Sequence, residues 1–172
     1  MARLSSSKNI VVAVAAAALA CLAAACKQQV AYSHYEHVAP AGWDKEDAMA
    51  FSSGRVAADG EYTERVGVCI SDDYPFTDMT LIVEHTLYPA LKTWSDTVYC
   101  RLIDDNGNAV GPGISQHQYE FDVRHLKLYA GDSLHVGVAH NMKRETLPGI
   151  LSVGVTIVRN DSDYGWRRAA GK

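Results

Sequence analysis

Apolar and polar residues alternate with a period of two through most of the chain after residue 60. Val66, Val68 and Ile70 share one face of the run Glu61–Ile70. Met79, Leu81, Val83 and Leu87 share the next, with His85 among them. Val98, Cys100 and Leu102 form a third set, and Tyr119, Phe121 and Val123 a fourth. Leu134, Val136 and Val138 follow, then Leu151, Val153, Val155 and Ile157. Successive side chains on a strand point to opposite faces, so each run reads as a strand buried on one side. Asp72-Asp73-Tyr74-Pro75, Asp105-Asn106-Gly107 and Ala130-Gly131-Asp132 supply turn chemistry between them. No long amphipathic helical pattern with a cap interrupts the series. The pattern predicts an all-β fold, a compact antiparallel β-sandwich of about seven strands, jelly-roll-like or immunoglobulin-like.

Ahead of these runs, Val30, Tyr32 and His34 alternate with Ala31, Ser33 and Tyr35, which suits an extended leader or first strand. Pro40-Ala41-Gly42 ends it. Trp43 and Phe51 then flank the charged segment Asp44–Asp47, an aromatic on each side to anchor it to a core. The chain divides into a segment to be removed (1–25), a leader (26–42), a sandwich domain (43–160) and a C-terminal tail (161–172).

The first segment has a different character. Met1–Lys8 carries Arg3 and Lys8 and no acid, and an apolar, alanine-rich run follows from Ile10 to Cys26. The run is weakly hydrophobic for a membrane span and has the layout of a secretory signal. Leu22-Ala23-Ala24-Ala25-Cys26 resembles the lipobox of bacterial lipoproteins, in which the cysteine receives diacylglycerol and becomes the new N-terminus. Cys21 competes less well, because it lies inside the apolar run rather than at its polar edge. Cys26 sits directly against the polar Lys27-Gln28-Gln29. The expected modification is a covalent diacylglycerol anchor on Cys26. Several acyl chains hold a protein to a leaflet far better than one.

Cleavage before Cys26 removes two basic residues and no acid. The mature chain then has 14 basic against 20 acidic residues, a formal net charge of −6. No basic patch remains to engage phosphates, so nucleic acid is not an expected partner. Cys69 and Cys100, the cysteines beyond the signal, could bridge neighbouring strands in an oxidising envelope or stay as two separate thiols. Cys100 lies on the apolar face of its run, whereas Cys69 lies opposite Val68 and Ile70.

Motifs that carry chemistry are scarce. Gly-x-Ser-x-Gly and His-Glu-x-x-His do not occur. The seven histidines show no compact ligand spacing with a nearby carboxylate, so no metal site is expected. Asp104, Asn106 and Asn108 alternate like calcium ligands, but the glycine falls at Gly107 and Ser115 stands where a bidentate glutamate belongs. A hairpin turn accounts for them better. Gly111-Pro112-Gly113 lacks the strand-to-helix context of a phosphate loop and reads as turn geometry. The expectation is a non-enzymatic protein without a cofactor. Tyr88 and Trp94 are candidates for a glycan-stacking surface, against the ordinary reading that aromatics in a small β-domain pack a core or its rim.

The order of blocks along the chain resembles a known family. Trp43-Asp44-Lys45 and Phe51 are followed by Asp73-Tyr74-Pro75-Phe76-Thr77-Asp78-Met79, Asp96-Thr97-Val98 and Leu102-Ile103-Asp104-Asp105. Gly111-Pro112-Gly113-Ile114, His140-Asn141-Met142-Lys143-Arg144, Leu147-Pro148-Gly149-Ile150 and Val153-Gly154-Val155 complete the series. With the lipobox ahead of them, these are similar to the GldH gliding-motility lipoproteins of the Bacteroidetes. The family pattern commonly has arginine where this chain has Lys143. The resemblance implies an envelope lipoprotein, an accessory or structural component of a gliding-motility assembly coupled to type IX secretion. Its partners would be the membrane and other envelope proteins. The absence of an acid between Cys26 and Glu36 suggests an outer-membrane protein facing the periplasm. Within the 140–150 block, Pro148 and Gly149 would fix a turn, with Leu147 and Ile150 entering the core. Alternatively, Met142, Lys143, Arg144 and Leu147 would present an apolar docking loop with a basic rim.

Overall fold

The computed structural model describes residues 29–160. Cys26 and the tail lie outside them. Ten strands run in the order β1 (Gln29–His37), β2 (Trp43–Asp44), β3 (Met49–Arg55), β4 (Gly60–Ser71), β5 (Asp78–Tyr88), β6 (Lys92–Arg101), β7 (Gln116–Leu128), β8 (Ser133–His140), β9 (Thr146–Leu147) and β10 (Ile150–Asn160). Two four-stranded antiparallel sheets have the orders β1-β10-β4-β7 and β3-β8-β5-β6, and β2 pairs with β9 in a short third ladder. The eight long strands pair as β1/β10, β3/β8, β4/β7 and β5/β6, each pair nested inside the one before. Two four-stranded sheets wound in this way are a jelly roll. The expected sandwich is therefore present, in the first of its two forms.

The additional strands are those with little apolar signal. In β3 only Phe51 is a large buried residue, at 4% exposure. Strands β2 and β9 have two residues each and form only as a pair: Trp43 opposite Leu147, Asp44 opposite Thr146. The leader is strand β1, laid along β10.

The core lies between the sheets and follows the alternation. Val66, Val68 and Ile70 of β4 face Met79, Leu81 and Val83 of β5, all nearly inaccessible to solvent. Two bulges adjust the pattern. One, between Ile150 and Ser152, gives the core position to Ile150 and leaves Leu151 half-buried. The other lies in β7, where Glu64 pairs with Arg124 but Arg65 pairs with Asp122, so Val123 is the extra residue. A bulge of this kind shifts side chains to the opposite face. Here it turns Arg124 to the inner side, in line with Glu64.

Candidate functional site

The segment joining β8 to β10 is fixed from several directions. The Asn141 amide donates to Thr80 O at 2.7 Å, and the Lys45 amide donates to Glu145 O at 2.8 Å. The Lys45 ammonium donates to Met142 O at 3.0 Å. His140, 2% exposed, meets Trp43 edge-on, with 5.2 Å between ring centroids. Its Nε2 donates to Trp43 O at 3.2 Å and its Nδ1 accepts from the Met142 amide at 3.4 Å, which assigns the neutral tautomer. Burial lowers its pKa below the usual histidine value. The Trp43 indole is itself tied to Asp47 O at 2.8 Å. Gly149, at φ +76°, completes the turn into β10. A Cβ there would come within 2.5 Å of the Tyr74 amide nitrogen, so glycine is required both by the backbone conformation and by the space.

Of the four residues considered for docking, the structure brings three together and separates the fourth. Leu147 is fully buried, at 0% exposure, and belongs to the core with Ile150. It can hold the loop in place but cannot meet a partner. Met142 is half-buried, and Lys143 and Arg144 are exposed beside it. With Asn141 and Phe76 they line a shallow hollow of 580 Å³. Phe76 comes from the β4–β5 connection, where its ring packs edge-on against Tyr74 at 5.6 Å. The sequence did not single out Phe76 for this site, because the residues that bring it here are about sixty-five positions away along the chain. The site is thus an apolar floor of Phe76 and Met142 with a basic rim.

A larger concavity, 840 Å³, lies between β5, β6 and the turn at 103–107. Its chemistry is that of a turn. The Asp104 carboxylate accepts from the amides of Asn106 and Asn108, both at 2.8 Å, and these donors hold its pKa below the usual carboxylate value.

Cys69 and Cys100 are not bridged. They lie in different sheets, on β4 and β6, and both are free thiols. Burial pushes the Cys100 thiol up to about 12, and raises that of the half-buried Cys69. Tyr88 and Trp94 are also apart. Trp94 pairs across the ladder with His85 and points between the sheets, while Tyr88 sits at a position of opposite parity, on the outer face, tilted over His135 at 4.8 Å. They form no common stacking platform.

One constellation has no local sequence motif. Glu64 of β4 and His85 of β5 meet in the interior with both side chains at 0% exposure. His85 Nε2 donates to Glu64 Oε1 at 3.1 Å and lies 2.9 Å from Oε2, which has no well-aligned hydrogen bond of its own. The His85 ring stacks on Trp94 at 4.9 Å with 10° between planes. His85 Nδ1 lies 3.9 Å from Asp96, and Asp96 receives a two-pronged contact from Arg124, Nε to Oδ2 at 2.8 Å. That contact holds the Asp96 pKa below the usual range. Arg124 also lies over Trp94, 5.9 Å from its ring. The group resembles an acid–histidine relay, but His85 has no hydroxyl or thiol partner among the described residues, and both nitrogens are closed off by carboxylates, indole and guanidinium. It joins the two sheets where β6 approaches β7.

Three of the solved structures to which the chain is similar follow. The globular domain of zebrafish complement 1qA protein is 12% identical, with 78% of this chain and 100% of that chain covered and a TM-score of 0.41. For a family GH115 4-O-methyl-alpha-glucuronidase the values are 11%, 79%, 18% and 0.42. For the Eiger TNF of S. frugiperda they are 11%, 78%, 94% and 0.33. No curated protein matches the sequence. Residues 30–157 match a family model, described as GldH lipoprotein.

Proposed function

Because the chain belongs to the GldH lipoprotein family, and is thus a gliding-motility-associated lipoprotein of the cell envelope, we propose that it is a non-enzymatic docking subunit of an envelope assembly. The lipid tether would be on Cys26, and the domain would face the periplasm from the outer membrane. The observation that carries this reading is the hydrogen-bonded loop at Asn141–Glu145. Its backbone is held by Thr80 and Lys45, so little ordering remains to oppose binding. Its apolar floor with Lys143 and Arg144 at the rim complements a protein partner that inserts an apolar side chain ringed by acids. A membrane tether raises the local concentration of such a partner, so a modest interface suffices.

The test is affinity purification of the tagged, lipidated protein under gentle solubilisation, beside Lys143→Glu/Arg144→Glu. Both positions are exposed, so the fold is expected to survive this reversal. Co-purification of gliding or secretion proteins that the reversal abolishes supports the proposal. A stable partner set that the reversal leaves intact rejects this loop as the docking site. Recovery of no envelope partner rejects the docking role itself.

A further inference from the structure

The outward face of the β1-β10-β4-β7 sheet carries a second arrangement, made of none of the loop residues. Register aligns Tyr35 of β1, Gly154 of β10, Gly67 of β4 and Glu120 of β7 in one row across all four strands. Glycine weakens the interior of a strand, so two side by side in the central strands call for a physical reason. Tyr35 provides it. A Cβ on Gly154 would stand 2.5 Å from Tyr35 Cγ, and one on Gly67 would collide with the Tyr35 hydroxyl. The ring therefore lies flat across both glycines. At the far end of the row its hydroxyl donates to Glu120 Oε1 and accepts from Gln118 Nε2, both at 3.4 Å.

One face of the ring rests on the sheet and the other is turned outward, in keeping with the half-buried state of Tyr35. Around it stand hydrogen-bonding groups of both kinds. Arg65 lies 3.9 Å from Glu120 and 2.7 Å from Asp122. The Ser33 and Thr156 hydroxyls meet at 3.1 Å on the same side. On the other side, Ser152 and Cys69 lead into a hollow of 500 Å³.

An aromatic plane ringed by carboxylate, amide and guanidinium complements a pyranose ring. The C–H face of the sugar covers the aromatic ring, and its equatorial hydroxyls reach sideways to donors and acceptors. Charge narrows the class. Two carboxylates surround one guanidinium, which disfavours phosphate, sulfate and uronate groups. We propose that this face binds a neutral glycan, with one hexopyranose stacked on Tyr35 and its hydroxyls addressed by Arg65, Gln118 and Glu120.

The experiment titrates the ¹⁵N-labelled mature lipoprotein, in detergent micelles, with cellohexaose, mannohexaose and the hexamer of N-acetylglucosamine in turn. Saturable binding of at least one is expected, with amide shifts centred on Gly67, Gly154 and Glu120. Tyr35→Ala is expected to weaken binding about tenfold or more, and Tyr35→Phe to retain most of it. Since Tyr35→Ala also uncovers two glycines, Glu120→Gln serves as the variant that preserves the sheet, with an expected loss of about threefold or more. Saturation by none of the three glycans overturns the proposal. So do shifts centred elsewhere, or an affinity that Glu120→Gln leaves unchanged.

Discussion

Replacing His85 with alanine would strand the Glu64 carboxylate inside the protein. Both side chains are at 0% exposure, and the hydrogen bond to His85 is the only one the Glu64 carboxylate makes among the described residues. Removing one partner of a buried hydrogen-bonded pair costs about 1–3 kcal/mol, and more where the group left behind is charged, because that group keeps its desolvation penalty and loses its compensation. A domain of this size has a total stability of about 5–15 kcal/mol, so His85→Ala removes a large fraction of it. Removing the ring also leaves a gap against Trp94, which places the expected loss toward the upper part of that range. Glu64→Gln keeps an oxygen to accept from Nε2 and costs less, about 1–2 kcal/mol. The double replacement Glu64→Leu/His85→Leu removes both polar groups and fills the site with apolar volume. It should therefore cost much less than the sum of Glu64→Leu and His85→Leu, with a coupling of about 1–3 kcal/mol. Urea unfolding followed by tryptophan fluorescence measures all of these, with Trp94 reporting from the cluster itself. A His85→Ala loss within about 1 kcal/mol, or additive single variants, would refute the reasoning, because it would mean that solvent already reaches Glu64.

Other outcomes follow from the same geometry. Leu147→Ala should lower stability by about 2–5 kcal/mol in the same assay, whereas Lys143→Glu should stay within about 0.5 kcal/mol. Intact mass without reductant should show two free thiols at Cys69 and Cys100, and iodoacetamide should modify Cys100 only after denaturation, since burial pushes its thiol up to about 12. His140 has a folded pKa below the unfolded value of about 6.5, so as pH falls below that value the unfolded chain takes up a proton that the folded chain does not. Its contribution to stability is therefore lost progressively on acidification. The drop in melting temperature between pH 7.5 and 5.5 should be smaller in His140→Gln, which can still donate to Trp43 O.

How much of this could be read from the sequence depended on whether the signal was periodic. Faces such as Val66-Val68-Ile70 and Leu134-Val136-Val138 announce themselves by parity, and they fixed the sandwich. Strand β3 did not, because alternation around Phe51 runs through alanine, serine and glycine. The Glu64 cluster did leave a trace. Extending the face of Val66 back two residues reaches Glu64, His85 lies on the face of Val83, and Asp96 lies on that of Val98, so three polar residues occupy inward positions. Their partnership depends on which strands become neighbours. The presence of Arg124 depends further on a bulge at Val123, which reverses the parity of the strand after it. The row of Tyr35, Gly154, Gly67 and Glu120 is hidden for the same reason. Each residue is ordinary alone, and only register across three ladders sets them in line.

The nesting of the strands also sets an order in time. β10 lies between β1 and β4, and the β1–β10 ladder joins residues from His37 with Ser152 out to Gln29 with Arg159. A chain emerging from its N-terminus therefore has no partner for β1 in its sheet until the last strand arrives. Contacts between residues this distant form slowly, because much of the loop-closure entropy must be overcome before any ladder is made. A newly made chain lacking only residues 150–160 would still have its first strand loose and its sheet split between β1 and β4. This topology delays closure of the domain until its final strand is available, without requiring a separate device to hold it open.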